Sequence, residues 1–169
     1  PAWGVSGGAT VGAMWNNRQF TDIAPAGADG KPVLSQAFSN GELNLLANAV
    51  LAACDAGDGA TDGMVQNTRA CKFDPAVLAC AGAKTDQCLS APQVAGLQAV
   101  SGGPVNSAGK ALYASQPWDP GVRDAGWRAW TLGTSATGTP NSRYNTLMLG
   151  ALVNDFFTPP HPAFDPRAF

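Results

Sequence analysis

Four cysteines, Cys54, Cys71, Cys80 and Cys88, all stand within residues 54–88 of a 169-residue chain. Their spacings of 17, 9 and 8 do not make the paired C-x-x-C knuckles of a structural zinc site, so disulfides are the better reading. Three pairings are possible and spacing alone does not choose among them, although sequential closure gives two small independent loops without threading. Disulfides imply an oxidising compartment, and the chain therefore reads as secreted or periplasmic. Its start, Pro1-Ala2-Trp3-Gly4, lacks the basic and apolar regions of a signal peptide, so any targeting signal is expected outside this chain.

The rest of the composition narrows the class. A chain of 169 residues is one domain by size, and its 20 glycines and 13 prolines beside only 13% charged residues predict a loop-rich fold. A net charge of -2 with ten scattered Lys and Arg residues forms no basic stripe, which excludes nucleic acid as a partner. No run approaches the ~18 to 20 apolar residues of a membrane-spanning helix, so no membrane partner is expected.

Local signals place several elements. Residues 1–20 carry Trp3, Val5, Val11, Met14, Trp15 and Phe20, but glycines at 4, 7, 8 and 12 weaken any long helix, so the stretch reads as a partly helical junction packed on something larger. Pro25, Gly27, Asp29, Gly30, Lys31 and Pro32 are turn chemistry and should be exposed. Ser39 followed by Glu42 is a capping box ahead of Leu43, Leu46, Ala47, Val50 and Leu51 at helical spacing, predicting a helix to about Cys54. Asp74-Pro75 predicts one short turn of helix through Cys80, and Ser90 with Pro92 and Gln93 starts another helix before Val94, Leu97 and Val100. Ala111-Leu112-Tyr113 reads as a short strand, and Tyr144 to Phe157 as a last helix stopped by Pro159, Pro160 and Pro162.

The stretch Cys54-Asp55-Ala56-Gly57-Asp58-Gly59-Ala60-Thr61-Asp62-Gly63-Met64 sets three carboxylates among three glycines. Calcium takes six to eight oxygens in a flexible arrangement, which carboxylates, carbonyls and water can provide. The acids stand at loop positions one, four and eight rather than the one, three, five and twelve of an EF-hand, so this is a different loop. Two carboxylates ~4 Å apart repel by roughly 1 to 4 kcal/mol, which a divalent cation removes. A solvated, glycine-rich turn is the competing reading of the same residues.

The segment Leu43 to Val100 resembles the tannase and feruloyl esterase family, which also includes enzymes that split terephthalate monoesters. The resemblance is carried by Ala49-Val50-Leu51-Ala52-Ala53-Cys54-Asp55-Ala56-Gly57-Asp58-Gly59-Ala60-Thr61-Asp62-Gly63, by Cys71-Lys72-Phe73-Asp74-Pro75 and by Cys88-Leu89-Ser90-Ala91-Pro92-Gln93-Val94, with looser matches at Gly103-Pro104, Gly126-Trp127 and Asp155-Phe156. It implies an α/β-hydrolase core carrying a serine triad and an inserted lid that binds one structural calcium and closes over an aromatic acid. This chain matches the lid. Carried over by position, the calcium ligands fall on the side chains of Asp55, Asp58 and Asp62 and the carbonyls of Ala60 and Met64, and the disulfides on Cys54 with Cys71 and Cys80 with Cys88. The same resemblance assigns substrate contacts to Trp127, Arg143, Leu147 and Phe156, where an aromatic wall suits a ring and a guanidinium suits a carboxylate. Against these stand core packing for Trp127 and Phe156 and a solvated charge for Arg143. Leu147, Met148 and Ala151 make this stretch apolar where family members that grip a small acid use polar residues.

Gly4-Val5-Ser6-Gly7-Gly8 fits the nucleophile-elbow pattern G-x-S-x-G, yet only three residues precede Gly4 where a buried strand is needed. In the resembled family the elbow lies upstream of the lid with a cysteine before its serine, a place Val5 occupies here. The sole histidine, His161, sits in Pro159-Pro160-His161-Pro162, a poor setting for a catalytic base, and the family's catalytic histidine lies beyond its lid. The resulting expectation is an α+β, loop-rich and mainly helical lid domain with a small β element, disulfide-stapled and inserted in a hydrolase core that this chain lacks. Within that single lid of residues 1–169, 1–20 join the core, 39–100 hold calcium and disulfides, 121–157 face substrate and 158–169 lead out. Its partners are an aromatic ester and the hydrolase core of the same protein, and by itself it is expected to be inactive. Two rivals are an autonomous extracellular calcium-binding recognition module and a small serine esterase using Ser6 and His161.

Overall fold

Ser39 begins the best-defined helix as its capping box predicts: its hydroxyl accepts the Glu42 N–H at 3.1 Å, and the Glu42 carboxylate accepts the Ser39 N–H at 2.7 Å. In this computed structural model, which describes the backbone of residues 2–155 and 157–164 and the side chains of 10–154 and 157–164, that helix runs Asn40–Cys54 and is the second of five. The others are α1 (Ala2–Ile23), α3 (Ala91–Gly102), α4 (Ala125–Thr131) and α5 (Leu149–Asp155), with the capped one α2. α3 repeats the device, Ser90 accepting from Gln93 while the Gln93 side chain accepts the Ser90 N–H. Asp74 caps a single 3-10 turn, Pro75–Leu78, which stops two residues short of Cys80.

α1 is longer than its glycines lead one to expect, and tertiary packing explains why. The Trp15 indole donates to the Ala99 carbonyl of α3 at 2.9 Å, and Phe20 is buried in the core edge-on to Phe38, ring centroids 5.6 Å apart. Gly96 of α3 faces Gln19 and Ile23 of α1. The core gathers Phe20, Phe38, Leu43, Leu46, Val50 and Leu89 between α1, α2 and α3, each almost wholly buried. The turn at 25–32 is largely exposed as predicted, and Val33, Leu34, Ala37 and Phe38 bring the chain back inside.

Among the described residues the small β element is reduced to three isolated bridges, Ala26 with Pro32, Ala79 with Leu89 and Val105 with Ala111, so the fold is mainly helical rather than α+β. The predicted strand at 111–113 contributes only Ala111. A strand needs a run of partners, and here the chain folds back over the Gly109 turn while Leu112 and Tyr113 stay exposed. Gly103 anchors this return: with φ +86°, any Cβ there would stand 2.7 Å from the Ala114 carbonyl oxygen. The last helix also differs from a plain α-helix, since Tyr144–Met148 is a π-helical turn before α5.

Candidate functional site

The acidic loop follows directly from α2. Asp55–Asp58 forms a 3-10 turn, and Gly59 and Gly63, at φ +95° and +81°, take the left-handed backbone that lets the chain reverse. Asp55 is buried, and its carboxylate accepts the N–H groups of Asp62 at 3.3 Å and Gly63 at 3.2 Å. Asp58 accepts from Gln66 at 3.0 Å and Ala60 at 3.1 Å, and Asp62 from Met64 at 3.1 Å. The Gln66 N–H first, then that of Ala60, hold the Asp58 carboxyl below its ordinary value, so it is a carboxylate at neutral pH. The donors are oxygen-only, as calcium prefers, and each carboxylate keeps lone pairs beyond these bonds. Among the described residues, however, no three His, Cys, Asp or Glu side chains are grouped closely enough to hold a metal ion.

Two disulfides brace this region, Cys54 with Cys71 and Cys80 with Cys88, their Cα atoms 5.2 and 4.9 Å apart, and this is the pairing that the resemblance implies. A network that sequence reasoning missed joins the second disulfide loop to the starts of α2 and α3. Buried Glu42 accepts from Lys84 and from Gln93 Nε2 at 3.0 Å, while Gln93 Nε2 also donates to the Ala37 carbonyl at 2.9 Å. Lys84 further donates to the Cys88 carbonyl at 2.8 Å. The two capping boxes and the second disulfide loop are thereby one connected unit. Both glutamine and glutamate were visible as caps; their contact with each other, 51 residues apart, has no local signal.

The residues assigned to substrate do not all meet. Trp127 is half-buried, edge-on to Phe20 at 6.1 Å, and lines a cavity of about 320 Å³ with Trp118 and Val122. Arg143 is exposed and its guanidinium lies 5.4 Å from the centroid of Trp130, which in turn packs on Tyr144 at 5.8 Å. Leu147, one turn beyond Arg143, is 58% exposed. Phe156 lies outside the described residues. From sequence, Trp130 reads only as part of an aromatic segment with Trp127 and Leu132, and Tyr144 only as a helix start; neither was assigned to substrate, although Trp130 stands one helical turn after Trp127. Trp130, Arg143 and Leu147 thus form an open face of an aromatic ring, a cation and an apolar side chain, separate from the cavity at Trp127.

Neither element of the serine-esterase rival has catalytic geometry. Gly4–Gly8 lies inside α1, whereas an elbow turns sharply between strand and helix. His161 is exposed and packs against Phe157 and Phe164, ring centroids 5.5 and 6.2 Å away, with its backbone N–H bonded to the Val153 carbonyl. Among the described residues no helix is long and apolar enough to cross a membrane.

Residues 9–159 match the family described as "Tannase and feruloyl esterase", and the chain belongs to that family. It is 38% identical, over 91% of its length, to mono(2-hydroxyethyl) terephthalate hydrolase of Piscinibacter sakaiensis, and 36% identical, over 86% of its length, to an uncharacterized esterase of Xanthomonas campestris pv. campestris. It spans only 29% and 24% of those two relatives. Its fold is that of part of the crystal structure of feruloyl esterase B from Aspergillus oryzae, with a TM-score of 0.64, 19% identity, and coverage of 96% of this chain and 29% of that one. A second Aspergillus oryzae esterase structure superposes with a TM-score of 0.65 at the same identity and coverage.

Proposed function

We propose that this chain is the calcium-binding lid of a secreted or periplasmic serine esterase that acts on aromatic carboxylic esters of the hydroxycinnamate, gallate or terephthalate type. The observation that carries the reading is the open face of Trp130, Arg143 and Leu147 in a member of the tannase and feruloyl esterase family. A ring can lie on the aromatic and apolar side chains while the Arg143 guanidinium takes a carboxylate in bidentate fashion. The triad belongs to the hydrolase core of the same protein. There the core serine attacks the ester carbonyl, while the lid orients the acid and excludes water, which is catalysis by positioning. In this reading Phe156 joins the substrate-facing set, whereas Trp127 packs on Phe20 of the core and supports helix α4 from within.

Calcium is structural in this scheme. Asp55, Asp58 and Asp62 would hold it with the carbonyls of Ala60 and Met64, and the ion would supply charge neutralisation for three carboxylates in one short loop. The Cys54–Cys71 disulfide ties the two flanks of that loop together.

Calorimetry of the purified chain in calcium and in chelator, with ester hydrolysis assayed on the same sample, tests the reading. A melting temperature raised by calcium and lost in an Asp58→Asn variant, without hydrolysis, is the expected result. Identical melting curves in calcium and chelator remove the metal site. Ester hydrolysis by the chain alone removes the division of labour between lid and core.

A further inference from the structure

The last helix has a second face, turned away from Arg143 and Leu147. Tyr144, Asn145, Met148 and Leu149 face α1 across a cavity of about 390 Å³ whose floor is Ala13 and Leu34, both buried. α1 contributes Thr10, Met14, Asn17, Arg18 and Thr21, spaced as one face of a helix. Lys31 and Gly138 stand at the rim. Gly138 permits that approach, because a Cβ there would fall 2.2 Å from the Lys31 Cβ.

The charged side chains that line this cavity are basic, although the Asp29 carboxylate stands beside Gly138 at its rim. Among the described residues no Asp or Glu lines it, while Arg18 and Lys31 do. Arg18 is bound through Nε to both oxygens of Asp22, at 2.9 and 2.8 Å. Lys31 takes part in no ion pair among the described residues, and the neighbouring Asp29 carboxylate accepts the Lys31 backbone N–H. Burial raises the Tyr144 phenol above its ordinary value, so it adds no negative charge. Asn17 is 8% exposed, yet its Nδ2 donor has no hydrogen-bond partner, and the Oδ1 of Asn145 on the opposite wall has none either. A buried polar atom left unpaired is destabilising, and an acceptor brought into the cavity would relieve it for Asn17. Both atoms are covered, so engaging them takes a rotation of the amide about Cβ–Cγ.

We propose that this cavity is a second ligand site, binding a small organic monocarboxylate with its carboxylate between Lys31 and the Asn17 amide and its apolar body against Met14, Leu34 and Met148. A lysine outside any ion pair among the described residues and an unpaired amide donor favour an anion; thioether and leucine walls select an apolar or flat ring rather than inorganic phosphate. The site lies on the opposite face of the segment 144–149 from Arg143, and it stands whether or not that other face takes substrate.

The test is a titration of the 169-residue chain with sodium benzoate, followed by two-dimensional amide NMR, with neutral benzamide as the control. Benzoate is expected to shift the side-chain amide signals of Asn17 and Asn145 saturably and to bind at least tenfold more tightly than benzamide. Lys31→Glu, at an exposed position that should leave folding intact, is expected to weaken benzoate at least tenfold, and Lys31→Arg to retain it. No saturable shift, equal binding of benzamide, or undiminished binding by Lys31→Glu overturns the site. Shifts confined to the Trp130 and Arg143 signals also overturn it, and in that case place the acid on the other face.

Discussion

Residues 39–102 and residues 125–164 are both mainly helical, but they are held by opposite means. In the first region every α-helix starts on a reciprocal capping box, two disulfides close the loops, and Glu42 joins the caps to the second loop. In the second, α4 begins at Asp124 with no side-chain cap bond, the last helix opens as a π turn, and Trp130 and Leu147 are left 38% and 58% exposed. Chemistry specified within a few residues makes a scaffold in one place. In the other, apolar side chains and a cation stay available to whatever lies against them.

That contrast breaks first at the staples. Replacing Cys54 and Cys71 together by serine should cost about 3 kcal/mol, the chain-entropy value for a loop of this size, visible as a lower denaturant midpoint. A loss near zero would mean that the acidic loop needs no closure. Next is Glu42→Ala, which removes the buried carboxylate shared by the Ser39 N–H, the Gln93 amide and the exposed Lys84, and should cost about 2 kcal/mol by the same measurement. An effect within the scatter of surface substitutions would detach the two capping boxes from one another.

A smaller effect sharpens the comparison in acid. The folded-state pKa of Asp58 is lowered by backbone N–H groups, so the stability it contributes is complete above the ordinary carboxylate range. It is lost as pH falls through that lowered value. Asp58 is fully exposed, so the change is modest: in chelator, Asp58→Asn should lower the neutral plateau slightly and flatten the acid limb that falls from it. An unaltered acid limb would show that these N–H bonds are equally satisfied by water.

The legibility of the sequence followed the same division. Ser39 with Glu42, Ser90 with Gln93 and Asp74 with Pro75 each encode a helix start within four residues, and each start is found where it was read. Signals of longer reach were illegible. The glycines of α1 argued against a long helix, and only contacts such as Trp15 with Ala99, 84 residues away, outweigh them. Ala111-Leu112-Tyr113 has strand-like residues but no strand to pair with, which a single segment cannot reveal. At the candidate site, Arg143 and Leu147 were read by resemblance, whereas the ring beneath the guanidinium is Trp130, because helix α4 turns Trp127 toward Phe20 and the core instead.

The claim that the open face of residues 125–157 serves the aromatic acid is tested most directly by the Michaelis constant of the complete enzyme carrying Arg143→Ala. The account predicts a rise of roughly tenfold or more for an aromatic ester bearing a free carboxylate, the loss of a charge-assisted pair worth about 1.5 to 3 kcal/mol, with little change for the matching neutral ester. An equal change for both esters, or none for either, would contradict it.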